Sequence, residues 1–180
     1  MALRRTRLNG RAAARTWLAR GLLAAVVALV AGVVTGVVPF EPVRVPTDSM
    51  APTLQAGDQV VLDHRSRPLR AGDLVVVPDP DDGTLLVKRA VALGGQSVGL
   101  ASGVLVVDGV PVAEPYADLT HQEGVWFGPV TVPPGAVFLL GDSRATSIDS
   151  RRFGPVPVTS VVGHVTVRLW PRPGPLPTAR

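Results

Sequence analysis

The sequence of 180 residues contains no cysteine, only three histidines and only one lysine. Without cysteine the chain has no disulfide, no thiol nucleophile and no thiolate ligand for a metal. Three histidines scattered along the chain do not form a conventional zinc motif, so we expect no metal and no other cofactor. The length suits one small domain with a short appendage and disfavours a multidomain chain or a long array of repeats.

Positive charge is concentrated at one end of the chain. Residues 1–20 contain six arginines and no acidic residue, whereas residues 41–180 contain 12 basic and 14 acidic residues, a net charge of −2. The basic residues of this second part are dispersed, and aromatic residues make up only 4% of the chain, so no ladder of aromatic side chains accompanies them. We therefore expect no nucleic acid among the partners of this protein.

A long apolar run follows the arginines. From Gly21 to Val38 the chain contains only Gly, Ala, Val, Leu and Thr, a run of 18 residues that Pro39 and Phe40 close. This length is close to that of a bilayer span, so residues 21–40 are predicted to be a transmembrane anchor in contact with the lipid bilayer. The arginines of residues 1–20 predict a cytoplasmic N-terminus and a single-pass protein of the cell membrane whose remaining chain is extracytoplasmic.

A cleaved signal peptide is the alternative interpretation of this run. Such a peptide has an apolar core of about 7 to 15 residues and a small-x-small cleavage site after it. The run here is longer, and residues 35–39 (Thr-Gly-Val-Val-Pro) form a poor site. An uncleaved anchor is the favoured interpretation.

The chain beyond Phe40 has the composition of a β domain. Short runs rich in Val and Leu alternate with Gly, Pro and Asp, and they predict strands at residues 59–62, 73–77, 84–91, 103–107, 136–140 and 161–169. Asp108-Gly109 between two such runs predicts a hairpin, and residues 70–73 and 133–135 predict turns. We expect an antiparallel β domain over residues 41–170, followed at residues 171–180 by a loose tail with four prolines.

Two residues of this domain are candidates for catalysis. Lys88 is the only lysine beside 17 arginines and ends an apolar run, where burial would lower its pKa and make the neutral amine a base. Ser49 lies between Pro46 and Pro52, which would hold it on a stiff turn. Alternatively, Lys88 is a solvated charge at a strand end beside Arg89, and Ser49 caps an ordinary turn.

A third segment, residues 141–156, alternates acids, arginines and hydroxyl residues. Asp and Arg at such spacing can lock a loop by charge-assisted hydrogen bonds, although a solvated surface loop has a similar composition.

In this order the segments resemble the motifs of the bacterial type I signal peptidases, which are membrane-anchored serine proteases with a Ser-Lys dyad. Residues 46–54 (Pro-Thr-Asp-Ser-Met-Ala-Pro-Thr-Leu) are similar to the serine motif, residues 72–77 to a Gly-Asp-aliphatic strand, residues 87–95 to the lysine motif and residues 141–156 to the last motif. Thr47 and Ser143 stand where Ser and Asn are usual, and both keep a side chain that forms hydrogen bonds. The resemblance implies a mainly β fold: an N-terminal transmembrane helix followed by an antiparallel domain of the signal-peptidase type.

The resemblance also implies a role for each matching residue. Ser49 would be the nucleophile and Lys88 its base, with the oxyanion bound by the Ser49 N–H and the Thr47 hydroxyl. Ser147 would hydrogen-bond and orient the lysine amine. The last motif would be braced by four charged residues: Asp142, Arg144, Asp149 and Arg151.

The substrates implied are the signal peptides of exported preproteins, cut after small-x-small sites. An extended peptide points alternate side chains the same way, so the first and third residues before the cut would enter the enzyme together. The residues at the family's pocket positions would accept alanine-sized groups: Val45, Met50, Leu86 and Val87. Asp48 fills a variable position beside the nucleophile, where a carboxylate could deter some substrates.

Three other interpretations are compatible with parts of the sequence. A self-cleaving repressor-type protease would use the same dyad, but it would need a DNA-binding domain and an internal scissile loop in a soluble chain. A catalytically idle, membrane-tethered β module could bind exported proteins, although the presence of both Ser49 and Lys88 disfavours it. His64 or His164 could serve as the base instead of lysine, yet neither lies in a matching motif.

Overall fold

The computed structural model describes residues 6–34, 39–120 and 124–177. The chain forms two units that divide between Pro39 and Phe40.

The first unit contains one helix, α1, at Thr6–Val34. Its segment Arg15–Gly32 has a mean hydropathy of 1.4, and none of that segment is buried. At about 1.5 Å per residue, such a segment spans nearly the apolar thickness of a bilayer. Large apolar side chains that are exposed along a helix need an apolar environment, so this helix is consistent with membrane anchoring.

The second unit contains two antiparallel sheets. The strands are β1 (Phe40–Arg44), β2 (Gln59–Asp63), β3 (Leu74–Pro78), β4 (Leu85–Leu93), β5 (Ser97–Ala101), β6 (Val104–Val107), β7 (Val110–Pro111), β8 (Phe127–Thr131), β9 (Ala136–Leu140), β10 (Val156–Pro157), β11 (Gly163–Trp170) and β12 (Gly174–Pro175). The larger sheet has the order β1-β2-β11-β3-β4-β9-β10, with β12 on β11, and the smaller has the order β7-β6-β5-β8. A short helix, α2 (Ser150–Phe153), and a 3-10 turn at Val158–Ser160 complete it.

The predicted antiparallel β fold is confirmed, and each of the six predicted runs forms a strand. The hairpin at Asp108-Gly109 is also confirmed: both residues have positive φ, at 52° and 78°, and they join β6 to β7. Both predicted turns form, since Asp73 N donates to Arg70 O and Ala136 N donates to Pro133 O.

Strands β1, β5 and β8 were not predicted. Each contains residues that disfavour strands: Glu41 and Pro42 in β1, Gly99 in β5, and Gly128 and Pro129 in β8. Edge positions tolerate proline because a strand there pairs on one side only, and β1 and β8 both lie at sheet edges.

Strand β4 forms the framework of the site. It pairs with β3 along Leu85–Arg89, whereas its pairing with β9 begins at Arg89. Within the described residues, Leu85 to Lys88 therefore have a partner strand on one side only. Leu93, at the far end of β4, leads into β5 of the smaller sheet. The end of β4 near Leu93 lies in the buried centre of the larger sheet, whereas the end near Leu85 lies at an open edge.

The predicted loose tail is wrong for the part of it that the structure describes. Residues 171–177, here called the C-terminal strap, contain β12, which pairs with β11 through Val167–Pro175 and Arg168–Gly174. Leu176 packs against the core that contains Met50 and Leu54. Prolines restrict the backbone conformations of the strap but do not prevent it from packing on the domain. The burial of Leu176 against the core stabilises this packing.

Candidate active site

Ser49 and Lys88 meet at the open end of β4. Lys88 is 1% exposed, and its Nζ donates a hydrogen bond of 2.7 Å to Ser49 Oγ. Ser49 itself is half-buried. The sequence separates the two residues by 39 positions, and the fold places a hydroxyl and an amine in direct contact.

The turn that carries Ser49 is fixed from both sides. The residue after Ser49, Met50, is wholly buried, and its carbonyl oxygen accepts from the Leu54 N–H at 2.8 Å. Asp48 Oδ1 accepts from the Ala56 N–H at 2.8 Å. The Asp48 carboxylate therefore stabilises the turn, and Ser49 sits on a stiff support.

Burial changes the acid–base behaviour of Lys88. Desolvation lowers the pKa of Lys88 from 10.5 to about 8, and the positive charge of Arg151 acts in the same direction. The negative charges of Asp149, Asp142 and Asp79 oppose this shift and keep the pKa from falling further. An amine with this pKa is neutral in an appreciable fraction of molecules near neutral pH, as a general base requires.

Two hydrogen-bond donors lie beside Ser49 Oγ. The Thr47 hydroxyl donates to Ser49 Oγ at 3.2 Å. The Ser49 backbone N–H donates to no backbone carbonyl of the described residues. Thr47, one of the two residues expected at the oxyanion site, thus contacts Ser49 Oγ.

Two cavities adjoin Ser49. The smaller, of about 100 Å³, lies between residues 45–47 and 84–87, and Val45, Leu86 and Val87 line it. The larger, of about 390 Å³, is lined by Leu86 and Lys88 and also by Thr146 and Ile148. Met50, which the sequence also assigned to a pocket, lines neither cavity and lies wholly in the core, because its side chain faces the interior below the turn.

The loop after β9 packs against the turn at residues 47–54, called the serine turn below. Ser143 N donates to Ser49 O at 3.2 Å, and a Cβ at Gly141 would overlap both Ser49 O and the Ser147 side chain. Asp149 caps α2, accepts from the Gly141 N–H at 3.0 Å and pairs with Arg151 at 2.8 Å. These contacts hold the loop in one conformation beside Ser49.

Two buried ion pairs support this loop. Arg89 and Asp142 pair at 2.7 Å, and Arg144 and Glu114 pair at 2.5 Å, with all four side chains 2% exposed or less. Arg144 Nε also donates to Gly141 O at 3.0 Å. The sequence alone did not identify Arg89 as the ion-pair partner of Asp142, or Glu114 as that of Arg144. The one signal for Arg89 is its place directly after Lys88 in an apolar strand.

Ser147 differs from its predicted role. Its Oγ is buried without a hydrogen-bond partner among the described residues, so the expected bond to Lys88 Nζ is not formed. The hydroxyl lies instead against Gly141, close to the Ser49 carbonyl.

The histidines lie elsewhere. His64 and His164 line a different cavity, of about 340 Å³, that contains neither Ser49 nor Lys88. His64 Nε2 contacts Glu41 at 2.9 Å, and His164 Nδ1 lies 3.7 Å from Asp73. Burial, together with the charge of Arg67, lowers the pKa of His164. In the part of the chain that the structure describes, no three His, Asp or Glu side chains converge as metal ligands would.

A hydroxyl bonded to a buried amine, with small cavities beside an open strand edge, has the features of a serine peptidase that uses lysine as its base. Comparisons with known proteins agree with this class. The sequence profile of the family described as "Signal peptidase, peptidase S26" matches residues 15–170.

Individual relatives point to the same family. A probable signal peptidase I-1 of Synechocystis sp. is 37% identical over 142 residues, which cover 73% of this chain and 71% of the relative. The signal peptidase I of Bacillus caldolyticus is 35% identical over 142 residues, covering 68% of this chain and 75% of the relative. The crystal structure of a signal peptidase I from Enterococcus faecalis superposes with a TM-score of 0.51 at 30% identity, covering 57% of this chain and 100% of that one. The chain belongs to the signal peptidase family, peptidase S26, and is a serine endopeptidase.

Proposed function

We propose that this chain removes signal peptides from exported preproteins, with Ser49 as nucleophile and Lys88 as general base. The observation that carries the proposal is the 2.7 Å hydrogen bond from the buried Lys88 Nζ to Ser49 Oγ. A serine hydroxyl is a weak nucleophile until a neighbouring base takes its proton, and a lysine whose pKa is lowered by burial supplies that base.

The reaction follows from this geometry. As Ser49 Oγ attacks the scissile carbonyl carbon, neutral Lys88 accepts the hydroxyl proton and a tetrahedral oxyanion forms. The Ser49 N–H and the Thr47 hydroxyl donate to that oxyanion, and the 3.2 Å contact of the Thr47 hydroxyl with Ser49 Oγ supports this role. Lys88 then gives its proton to the leaving amine, and water, deprotonated by Lys88 in its turn, releases the acyl group from Ser49.

Substrate binding uses the open edge of β4. An extended peptide that adds to this edge beside Leu85 to Lys88 presents alternate side chains to the enzyme. The cavity of about 100 Å³ beside Val45, Leu86 and Val87 has room for a side chain the size of alanine. These features support cleavage after small-x-small sites.

The topology is part of the same proposal. The arginines of residues 1–20 keep the N-terminus in the cytoplasm, helix α1 crosses the bilayer once, and the catalytic domain is extracytoplasmic. Ser49 follows the apolar run by about ten residues, which suits substrates that emerge from the membrane.

The test is cleavage of a synthetic signal peptide, with alanine at the first and third positions before the cut, by the detergent-solubilised full chain. We expect Ser49→Ala and Lys88→Arg to abolish product formation in mass spectra, since arginine stays protonated. His64→Ala, in the other cavity, is the matched control and should cleave as the parent does. Near-parental rates in either dyad variant would refute the proposed mechanism.

A further inference from the structure

The C-terminal strap reaches the centre of the molecule through Arg89. This guanidinium is wholly buried, and each of its five N–H groups has an acceptor. Nε and Nη2 donate to Asp142 at 2.8 and 2.7 Å, Nη2 also to Thr53 Oγ1 at 3.4 Å, and Nη1 to Gly72 O at 2.9 Å and Pro177 O at 2.8 Å. The strap therefore supplies one acceptor to a charge that lies next to Lys88 in β4.

A second arginine connects the strap to the same place. Arg168, on β11, donates from Nε to Arg172 O in the strap at 3.1 Å. Its Nη1 donates to Thr53 O at 3.1 Å and to Asp58 Oδ2 at 3.4 Å. Asp58 in turn accepts from the Gln55 N–H at 3.1 Å, so this contact also reaches the turn that follows Ser49.

Both connections converge on Thr53, four residues after the nucleophile. Its hydroxyl contacts Arg89, its carbonyl oxygen contacts Arg168, and the residue is 5% exposed. Leu176 of the strap packs on the core that contains Met50 and Leu54, which flank Thr53 in the sequence. Arg89 and Arg168 thus each bridge the strap and the serine turn. Leu176 of the strap also packs on the core beneath that turn.

We propose that the C-terminal strap is a positioning element for catalysis: through Arg89 and Arg168 it holds the Ser49 turn in register with Lys88 on β4. This inference rests on the proposed function. The strap lines neither cavity beside Ser49, so it acts on the geometry of the dyad and not on the peptide. Its loss should lower kcat and leave KM nearly unchanged.

The experiment compares two perturbations with matched controls. A chain that ends at Pro173 loses β12, Leu176 and Pro177, and its control ends at Thr178 and retains all three. Arg168→Gln removes the second connection, and its control, Arg172→Gln, changes an exposed side chain but keeps the carbonyl that Arg168 binds. All four are assayed for kcat and KM on the synthetic signal peptide.

We expect kcat to fall about 10- to 100-fold in the shortened chain and in Arg168→Gln, with KM within about twofold, because small misplacements of reacting atoms cost this much. Both controls should retain parental kcat. Amide hydrogen exchange is measured on the same variants, because it distinguishes a local change from unfolding. In a variant that does not fold, exchange would accelerate at every amide. Exchange should accelerate at residues 50–58 and stay unchanged in the smaller sheet, residues 97–107 and 127–131.

Unchanged kcat in the shortened chain would overturn the inference, and so would unchanged exchange at residues 50–58. If the shortened chain does not fold, Arg168→Gln decides by the same two readouts. A parent chain that fails to cut the peptide at all would instead refute the proposed function, so the two failures are distinct.

Discussion

The pH dependence of cleavage follows directly from the burial of Lys88. With its pKa at about 8, roughly 9% of the amines are neutral at pH 7, against about 0.03% at the ordinary value of 10.5. Burial thus raises the fraction of neutral Lys88, the base of the proposed mechanism, about 300-fold at neutral pH. We expect kcat/KM to rise about tenfold per pH unit below pH 7, to reach half its maximum near pH 8 and to level off above about pH 9.

The assay measures kcat/KM from about pH 5.5 to about pH 9.5 with a peptide that carries no group titrating in this range. The variant Asp79→Asn changes the pKa of Lys88 in a known direction. The negative charge of Asp79 raises the pKa of Lys88, so its removal should displace the midpoint to lower pH. Asparagine can still accept the Asp81 N–H that Asp79 Oδ1 now accepts at 2.9 Å, which leaves the β3–β4 turn intact.

Two controls separate lysine from histidine. His64→Gln and His164→Gln should keep the midpoint, since both histidines line a cavity that excludes Ser49. A pH profile that is flat between pH 6 and pH 9 would refute the assignment of Lys88 as the base, as would disappearance of the rise in either histidine variant.

The remaining predictions concern the oxyanion, the pockets and stability. Thr47→Val should lower kcat about 100- to 1,000-fold whereas Thr47→Ser retains activity, since one oxyanion donor is worth this much; equal rates for the two variants would show that the hydroxyl is not a donor. Leucine at the first or third position before the cut should reduce cleavage by about 100-fold and leucine at the second should not, because only the former face the cavity at Leu86; equal cleavage of the three peptides would contradict this. Lys88→Met should raise the free energy of unfolding at pH 7 by up to about 3 kcal/mol, measured by urea denaturation. The pKa of Lys88 is lower in the folded than in the unfolded chain, so the parent regains this free energy of unfolding as pH rises from about 8 to 10.5. A difference in the free energy of unfolding between the two chains that persisted above pH 10.5 would show another cause.

Local sequence patterns determined the strands that alternate or are uniformly apolar. Runs such as residues 136–140 and the Asp108-Gly109 turn carry their preference within a few residues, so no distant contact is needed to recognise them. Strands β1 and β5 form because neighbouring strands pair with them, and their own residues are nearly neutral. The strap, likewise, is ordered by a core and by Arg89, which lies 88 residues from Pro177 in the sequence.

For the site, the residue types can be read from the sequence: one lysine among arginines, a serine between prolines and a loop of alternating charges. It also predicted the family, which the comparisons confirm. Which of these groups contact one another depends on the folded chain. Lys88 meets Ser49 across 39 residues, Arg89 meets Asp142 across 53, and Ser147 misses the amine it was expected to orient. Consecutive residues of a strand point to opposite faces, and which face becomes the interior depends on what the other strands cover, so the burial that lowers the pKa of Lys88 is a property of the folded sheet.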